Sequence, residues 1–361
     1  MSADLIESQA NKGEWSELFA VASIISSGRA FEADGHLRPM GNRMLKVAKL
    51  FLSRPDTGQV SFSLQGDGTV TRKLGTSSEI LSQDQLGSRL EALLADLKND
   101  KNVGSFSSRA GGEIMTLLGI DKPSASSNET SADFDMILLD PMTDEATPRH
   151  SFSVKSQLGS PATLLNASRQ TNITFGLCQQ SALTEARVKE LNEMTWLATR
   201  DALIEAGCDP IFRKFDGETL YKNMRLVDSA MPEVISNLVR SHYFNGVRRL
   251  DEAVAQCYPG HLANSEQIIY KVKELVGVLA MGMRPNLTWS GDPSAFKGMV
   301  VVTKEGDVVV FYVFNVLEFR DFLFHNLGFE RGSATRHGWG QVYPEAGEWR
   351  IKLNLQLRFL S

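Results

Sequence analysis

Apolar residues recur at two periods along this chain, and the periods divide it into elements. Lys12 to Ser26 places Trp15, Leu18, Phe19, Ala22 and Ile25 at helical spacing and ends at Gly28, so it predicts an amphipathic helix. Short β-type runs follow at Leu45–Phe51, Val60–Leu64 and Val70–Leu74, the last two joined by Gln65-Gly66-Asp67-Gly68. Ser82–Leu97 and Ala110–Leu118 predict helices, and Lys122–Ser131 a polar, serine-rich loop. Asp133 to Leu139 reads as a buried strand, Asp140 to Asp144 as a turn, and Ser151 to Leu158 as an alternating strand. Ser160-Pro161 is a good helix start, with serine as cap and proline in the first turn, and Leu164 and Leu165 then face the core. Beyond Leu177 helical spacing dominates: Thr184–Ala206 as one long helix closed by Gly207, then Val234–Leu250 and Ser265–Met281. A hairpin at Met299–Thr303 and Asp307–Phe314, a helix at Leu317–Leu327, and strands at Gln341–Tyr343 and Trp349–Phe359 complete the pattern. Strands mixed with helices point to an α/β (α+β) fold, with one region over 1–180 and a second over 181–361.

The two strands around residue 145 carry the first candidate chemistry. Phe152, Val154 and Leu158 share one face; Ser153, Lys155 and Gln157 share the other. A hairpin folded about residue 145 sets Asp135 opposite Lys155. A carboxylate that holds a divalent cation and an amine that steadies water or a phosphate are what metal-assisted phosphodiester cleavage requires. On spacing alone, an exposed hairpin with a surface Asp–Lys pair stays open.

Composition narrows the classes. The 361 residues are 42% hydrophobic and 22% charged, which is ordinary for a globular protein of about two domains. No apolar run reaches the roughly 18 residues of a membrane span, and the first residues lack the basic and apolar segments of a secretory signal. Three scattered cysteines, Cys178, Cys208 and Cys257, give no zinc spacing and suit a reducing cytoplasm. A net charge of −5 argues against indiscriminate polyanion binding but leaves room for local basic patches. There is no phosphate-binding loop, dinucleotide fingerprint, HExxH or serine-hydrolase elbow.

The C-terminus offers one candidate for such a patch, with a half-buried strand and a solvated face as the alternative. In the last strand Lys352, Asn354, Gln356 and Arg358 alternate with Ile351, Leu353, Leu355 and Leu357, and this polar face contains no acid. Just before it, Arg331, Arg336 and His337 sit on a glycine- and hydroxyl-rich loop that is either a plain connection or one that orders against DNA. Ser160, Thr163, Asn166, Arg169 and Asn172 follow directly on the Lys155 strand and suit contact with phosphates or base edges. Further carboxylates for a metal are offered by Glu14 and Glu17 on the first helix, by Glu113, and by Asp133.

Asp135 followed by Ser153-Val154-Lys155 resembles a variant PD-(D/E)XK nuclease motif, with Ser153 where an acid is usual. The strings KGEWSELF, SVKSQLGSPATLLNASRQTNITF and RHGWGQVYPEAGEWRIKLNLQLRF resemble the HpaII-type restriction endonucleases over nearly the whole chain. The resemblance implies a mixed-sheet nuclease core flanked by helices, and a Mg²⁺-dependent type II enzyme cutting duplex DNA at CCGG or a related palindrome. It makes Asp135 a metal ligand and Lys155 the catalytic lysine. Gln157 then helps to fill the site, and Glu17 or Glu14 replaces the missing acid. A palindromic target favours a homodimer on DNA. Because Ser153 removes an expected acid, the competing expectation is a DNA-binding or repair-associated protein with a degenerate nuclease motif.

Overall fold

The computed structural model describes residues 9–54, 57–100, 104–124, 132–140, 142–159, 161–177, 183–259, 263–291, 298–312 and 316–360. The chain forms two compact units, one of residues 1–161 with 296–319, the other of residues 162–295 with 320–360. The division therefore differs from a single boundary near 180. A late hairpin rejoins the first unit because its valine-rich strand completes that unit's sheet.

The first unit begins with β1 (Gln9–Ala10), α1 (Lys12–Ser27), β2 (Arg29–Ala33), β3 (Pro39–Arg54), β4 (Gly58–Leu64), β5 (Thr69–Leu74) and β6 (Ser77–Ser82). It continues with α2 (Asp84–Asn99), β7 (Phe106–Ser107), α3 (Arg109–Leu118), β8 (Phe134–Leu139) and β9 (His150–Ser156). In the second unit come β10 (Thr163–Leu165), β11 (Asn172–Leu177), α4 (Glu185–Glu193), α5 (Trp196–Glu205), β12 (Pro210–Phe215), α6 (Glu218–Val227), α7 (Met231–Asn245), α8 (Leu250–Cys257) and α9 (Ala263–Ala280). The returning hairpin is β13 (Gly298–Val302) with β14 (Val308–Phe311), followed by α10 (Val316–Asn326). Last are β15 (Leu327–Phe329), α11 (Ala334–His337), β16 (Val342–Glu345), β17 (Glu348–Asn354) and β18 (Leu357–Phe359).

The main sheet of the first unit runs β2-β14-β13-β9-β8-β3-β4-β5-β6, and β2 also pairs with β3. β9 sits inside it, antiparallel to β8 and parallel to β13. An interior mixed sheet needs helices over its apolar surface, and α1 supplies most of the cover. α1 is buried from Trp15 through Ala22 and at Ile24 and Ile25, as befits a helix that is apolar nearly all round. Asn11 and Glu14 close its N-terminus as a reciprocal capping box, and Gly28 ends it at φ 66°. Phe134, Met136, Leu138 and Phe152 enter the same core as Trp15 and Leu18. β13 and β9 approach so closely that a Cβ on Gly298 would lie 2.1 Å from the Phe152 ring, so only glycine fits there.

In the second unit, one sheet runs β12-β11-β17-β16 and another β10-β18-β15. Several expected elements change here. The single helix over 184–206 is two, because Met194 and Thr195 are extended before Trp196, whose indole packs against Tyr243, Phe244 and Trp339. The helix expected after Ser160-Pro161 is strand β10; Ser160 itself lies outside the described residues. Pairing of Thr163 with Arg358 and Leu165 with Leu357 overrides the local capping signal. The final strand is also two: at Leu355 and Gln356 the chain passes from one sheet to the other, as Leu355 donates to the Thr171 carbonyl and Gln356 accepts from Glu330. Strands β2, β6, β11 and β12 and helices α6 and α8 had no clear periodic signal of their own.

Candidate active site

The β8–β9 hairpin does not fold about residue 145. Its register pairs Phe134 with Phe152, Asp135 with Ser151 and Met136 with His150. The connection is tighter than alternation alone suggests. Asp140 donates to the Glu145 carbonyl, Asp144 adopts φ 59° and donates back to Asp140, and Leu139 bridges to Ala146. Asp135 is therefore not opposite Lys155. It accepts from Ser151 Oγ at 2.7 Å and from Arg149 Nε at 2.8 Å.

A different acid stands beside the lysine strand. The Asp133 N–H donates to the Phe152 carbonyl at 2.8 Å, and its Oδ2 accepts from the Val154 N–H at 2.6 Å. These two bonds bracket Ser153. Lys155 lies two residues further on the same strand face. It is half-buried and makes no ion pair among the described residues.

Behind this hairpin lies a charged cluster that the sequence does not announce. Arg54, at the end of β3, is 2% exposed; its Nη2 donates to Glu17 Oε1 at 3.0 Å and to the Pro123 carbonyl at 3.2 Å, and its Nε to the Lys122 carbonyl. Burial pushes this guanidinium down, while the charges of Glu17, Asp133 and Asp121 hold it up. Those four side chains carry three negative charges against one positive. Ser16 Oγ, next to Glu17, donates to Ser156 Oγ at 2.9 Å, which ties α1 to the end of β9.

The other candidates fall elsewhere. Glu14 accepts from the Asn11 N–H in the helix cap, and Glu113 pairs with Arg89 and Arg109, so both serve local structure. Gln157 Oε1 accepts from the Lys304 N–H at 3.3 Å, in the turn between β13 and β14. Among the described residues no three His, Cys, Asp or Glu side chains converge as a metal cage. A hard cation such as Mg²⁺ is commonly held by only one or two carboxylates plus substrate phosphates and water. The oxygen donors of Asp133, Ser153 and Glu17 suit that class of ion.

In the second unit the expected polar face of the last strand is already neutralised. Lys352 Nζ meets Asp216 Oδ2 at 2.6 Å, and Arg358 Nη1 meets Glu330 at 2.9 Å. Asn354 is 1% exposed and donates to the Ser168 carbonyl and to Asn172 Oδ1. Asn172, 2% exposed, donates to the His337 carbonyl. These contacts belong to the fold, and alternation could not reveal them because the partners, Asp216 and Glu330 among them, come from other segments.

The exposed cations gather nearby. Arg169 lies on the 3₁₀ turn Arg169–Thr171 and Arg331 and Arg336 flank and occupy the α11 segment. A Cβ on Gly332 would lie 2.6 Å from Ala167 Cβ and 3.0 Å from the His337 ring, so the 166–171 and 330–338 segments are in direct contact. Arg248, which the sequence pattern did not single out, joins them: its carbonyl accepts from the Phe329 N–H at 2.7 Å. None of these four arginines forms an ion pair among the described residues, and all four are exposed. Arg331 and Arg248 add to burial in pushing the His242 imidazole beneath them down to about 4. His337 is half-buried, Asn166 is exposed and Thr163 is half-buried in β10.

Comparison with known proteins identifies the family of the chain. The model of the HpaII restriction endonuclease family matches residues 11–359. The chain belongs to that family. It is 29% identical over 359 residues to the type II restriction enzyme HpaII of Haemophilus parainfluenzae, covering 97% of this chain and 98% of the relative. No solved structure matches. Membership makes this HpaII-family chain a type II site-specific DNA endonuclease, a hydrolase that binds and cleaves double-stranded DNA. Type II restriction enzymes generally work with divalent metal ions. No helix among the described residues is long and apolar enough to cross a membrane.

Proposed function

We propose that the protein cleaves duplex DNA in a Mg²⁺-dependent reaction at CCGG or a related palindrome, using a variant PD-(D/E)XK site built on Asp133, Ser153 and Lys155. The observation that carries this reading is the bracketing of Ser153 by the two Asp133 hydrogen bonds, with Lys155 open on the same strand face. On this reading the metal-binding acid is Asp133 and not Asp135, which accepts from Ser151 and Arg149.

Asp133 and Ser153 would hold the ion, with Glu17 near enough to the same Arg54 guanidinium to complete the negative field. When bound, Mg²⁺ offsets charge that builds on the phosphoryl and leaving oxygens. Lys155 holds the attacking water or the scissile phosphate by its ammonium, and as a flexible point donor it suits proton movement at that oxygen. Arg54 keeps Glu17 and Asp133 in place; it is too buried to meet DNA.

Sequence reading is assigned to Arg169, Arg331 and Arg336. A guanine shows N7 and O6 in the major groove, and a guanidinium binds that pair bidentately. Unpaired arginines can do this; Lys352 and Arg358, already paired to acids, do not. A palindrome further favours a homodimer in which each subunit reads one half-site.

Purified protein incubated with plasmid and Mg²⁺, followed by run-off sequencing of the products, tests the proposal. Discrete cuts at CCGG-containing sites, lost on adding EDTA, are expected. Cleavage without divalent metal, or cuts unrelated to CCGG, would overturn it.

A further inference from the structure

Asp135 and Arg149 form a device that the cleavage chemistry does not use. Arg149 Nε donates to Asp135 Oδ2 at 2.8 Å, and its Nη2 donates to the same oxygen. Ser151 Oγ donates to the other carboxylate oxygen at 2.7 Å. The guanidinium carbon of Arg149 lies 4.1 Å from the centre of the Phe51 ring. Phe51 is the β3 residue directly paired with Asp135, so all four side chains share one sheet face.

This arrangement fixes a long side chain that would otherwise sample many rotamers. A planar guanidinium stacked on a ring and held through two N–H groups has lost its freedom before any ligand arrives. Yet 39% of the Arg149 side chain faces solvent, and Nη1 has no hydrogen-bond partner among the described residues. Arg54 shows the contrast: it is fully enclosed and its donors end on carbonyls and Glu17.

Ser151, Ser153 and Lys155 fall on one side of β9 by alternation, and Arg149, the residue just before the strand, reaches that side through its bond to Asp135. Arg149 stands four residues from Ser153, which is about 13 Å along a strand. That separation is too long for the phosphate held at Ser153 and Lys155, and suits a neighbouring phosphate of the same DNA.

We infer that Arg149 binds a backbone phosphate flanking the cut, and that Asp135 is the positioning residue that holds Arg149 in place rather than a ligand of the metal. The inference rests on the proposed nuclease site at Asp133 and Lys155. Its chemistry is that of a preorganised arginine fork, which gives affinity and register on DNA without reading sequence.

The test uses the full-length protein and duplex oligonucleotides with and without CCGG. Binding is measured in Ca²⁺ across a salt series, and cleavage across Mg²⁺ and DNA titrations. Arg149→Ala should weaken binding to both duplexes alike and flatten the slope of log K against log salt by about one unit. Asp135→Asn should raise KM for DNA several-fold, leaving kcat and the Mg²⁺ concentration for half-maximal cleavage unchanged. Arg149→Lys, which keeps the charge but loses the fork, should recover the salt slope and not the full affinity.

An unchanged salt slope in Arg149→Ala would overturn the phosphate assignment. A raised Mg²⁺ requirement or lost kcat in Asp135→Asn would return that carboxylate to the metal. If instead the wild-type protein does not cut with Mg²⁺, or Asp133→Asn and Lys155→Ala cut normally, the nuclease site has failed and not this inference alone. Circular dichroism and thermal melting of each variant separate misfolding from lost contacts.

Discussion

Strands β9 and β17 look alike in sequence and differ in what they leave available. Both alternate apolar and polar residues, both carry a lysine on the polar side, and both lie inside a sheet. Lys155 of β9 has no ion-pair partner among the described residues, whereas Lys352 of β17 meets Asp216. Asp216 reaches it from the far end of β12, and Thr174 Oγ1 adds a hydrogen bond to the same carboxylate. Arg350, also on β17, is enclosed by Glu345 and Glu348. Alternation thus chooses the face of a side chain, but the neighbours on that face decide whether its charge is free to act on a substrate.

The largest expected effect breaks the comparison at its open end. Lys155→Ala should lower cleavage by at least about 10²–10³-fold, the usual loss when a group acting on developing charge is removed, with an unchanged melting curve. Plasmid cleavage under Mg²⁺ and calorimetry measure the two quantities. Near-normal cleavage would place the chemistry elsewhere.

Behind β9, Arg54→Met should destabilise the first unit by about 3–5 kcal/mol, because Glu17 is left as an uncompensated buried charge. Urea denaturation checks it. A loss under ~1 kcal/mol would mean that water or another cation replaces the guanidinium.

Beneath the second unit's sheet the sensitive group is His242. Its Nδ1 donates to the Val247 carbonyl, its ring packs on Tyr243 and Phe329, and Tyr243 Oη donates to the carbonyl of Asn354 at the end of β17. Burial holds its folded pKa at about 4, below the ordinary 6.5. The unfolded chain therefore binds a proton more readily between those values. Stability from the neutral ring is complete above about 6.5 and is lost as pH falls toward 4, by a few kcal/mol at most. His242→Phe should flatten that pH dependence of the melting temperature; an identical slope would sink the assignment.

On the arginine surface, Arg331→Ala or Arg336→Ala should cost about 1–3 kcal/mol of specific binding and relax preference at one base pair. Binding selection from randomised duplexes reads this out. Unaltered preference in both variants and in Arg169→Ala would move recognition to other residues. The smallest effect is expected at β17: Lys352→Ala should leave DNA affinity and its salt slope alone and cost about 1 kcal/mol of stability.

Much of the scaffold was legible in the chain. α1, α2, α3, α9 and the β4–β5 and β13–β14 hairpins follow from periods of 3.6 or 2 bounded by glycine turns, and most fall within a few residues of their expected limits. These elements bury one strong apolar stripe or face each, so local pattern and tertiary packing agree. The strings around Ser153-Val154-Lys155 and at both ends of the chain were specific enough to indicate the family.

Register, partners and charge were decided only by the tertiary structure. Alternation fixes which side a residue faces, but shifting the pairing by any even number of residues preserves every face, so periodicity cannot tell which residue of the Lys155 strand stands opposite Asp135. The αL residue at Asp144 and the bridge from Leu139 to Ala146 settle that register. Likewise, the polar side of the last strand reads as a DNA-binding stripe until Asp216 and Glu330 arrive from 136 and 28 residues away. Ion pairing depends on spatial distance, and distance between remote segments is set by how strands pair, which no single stretch of sequence contains.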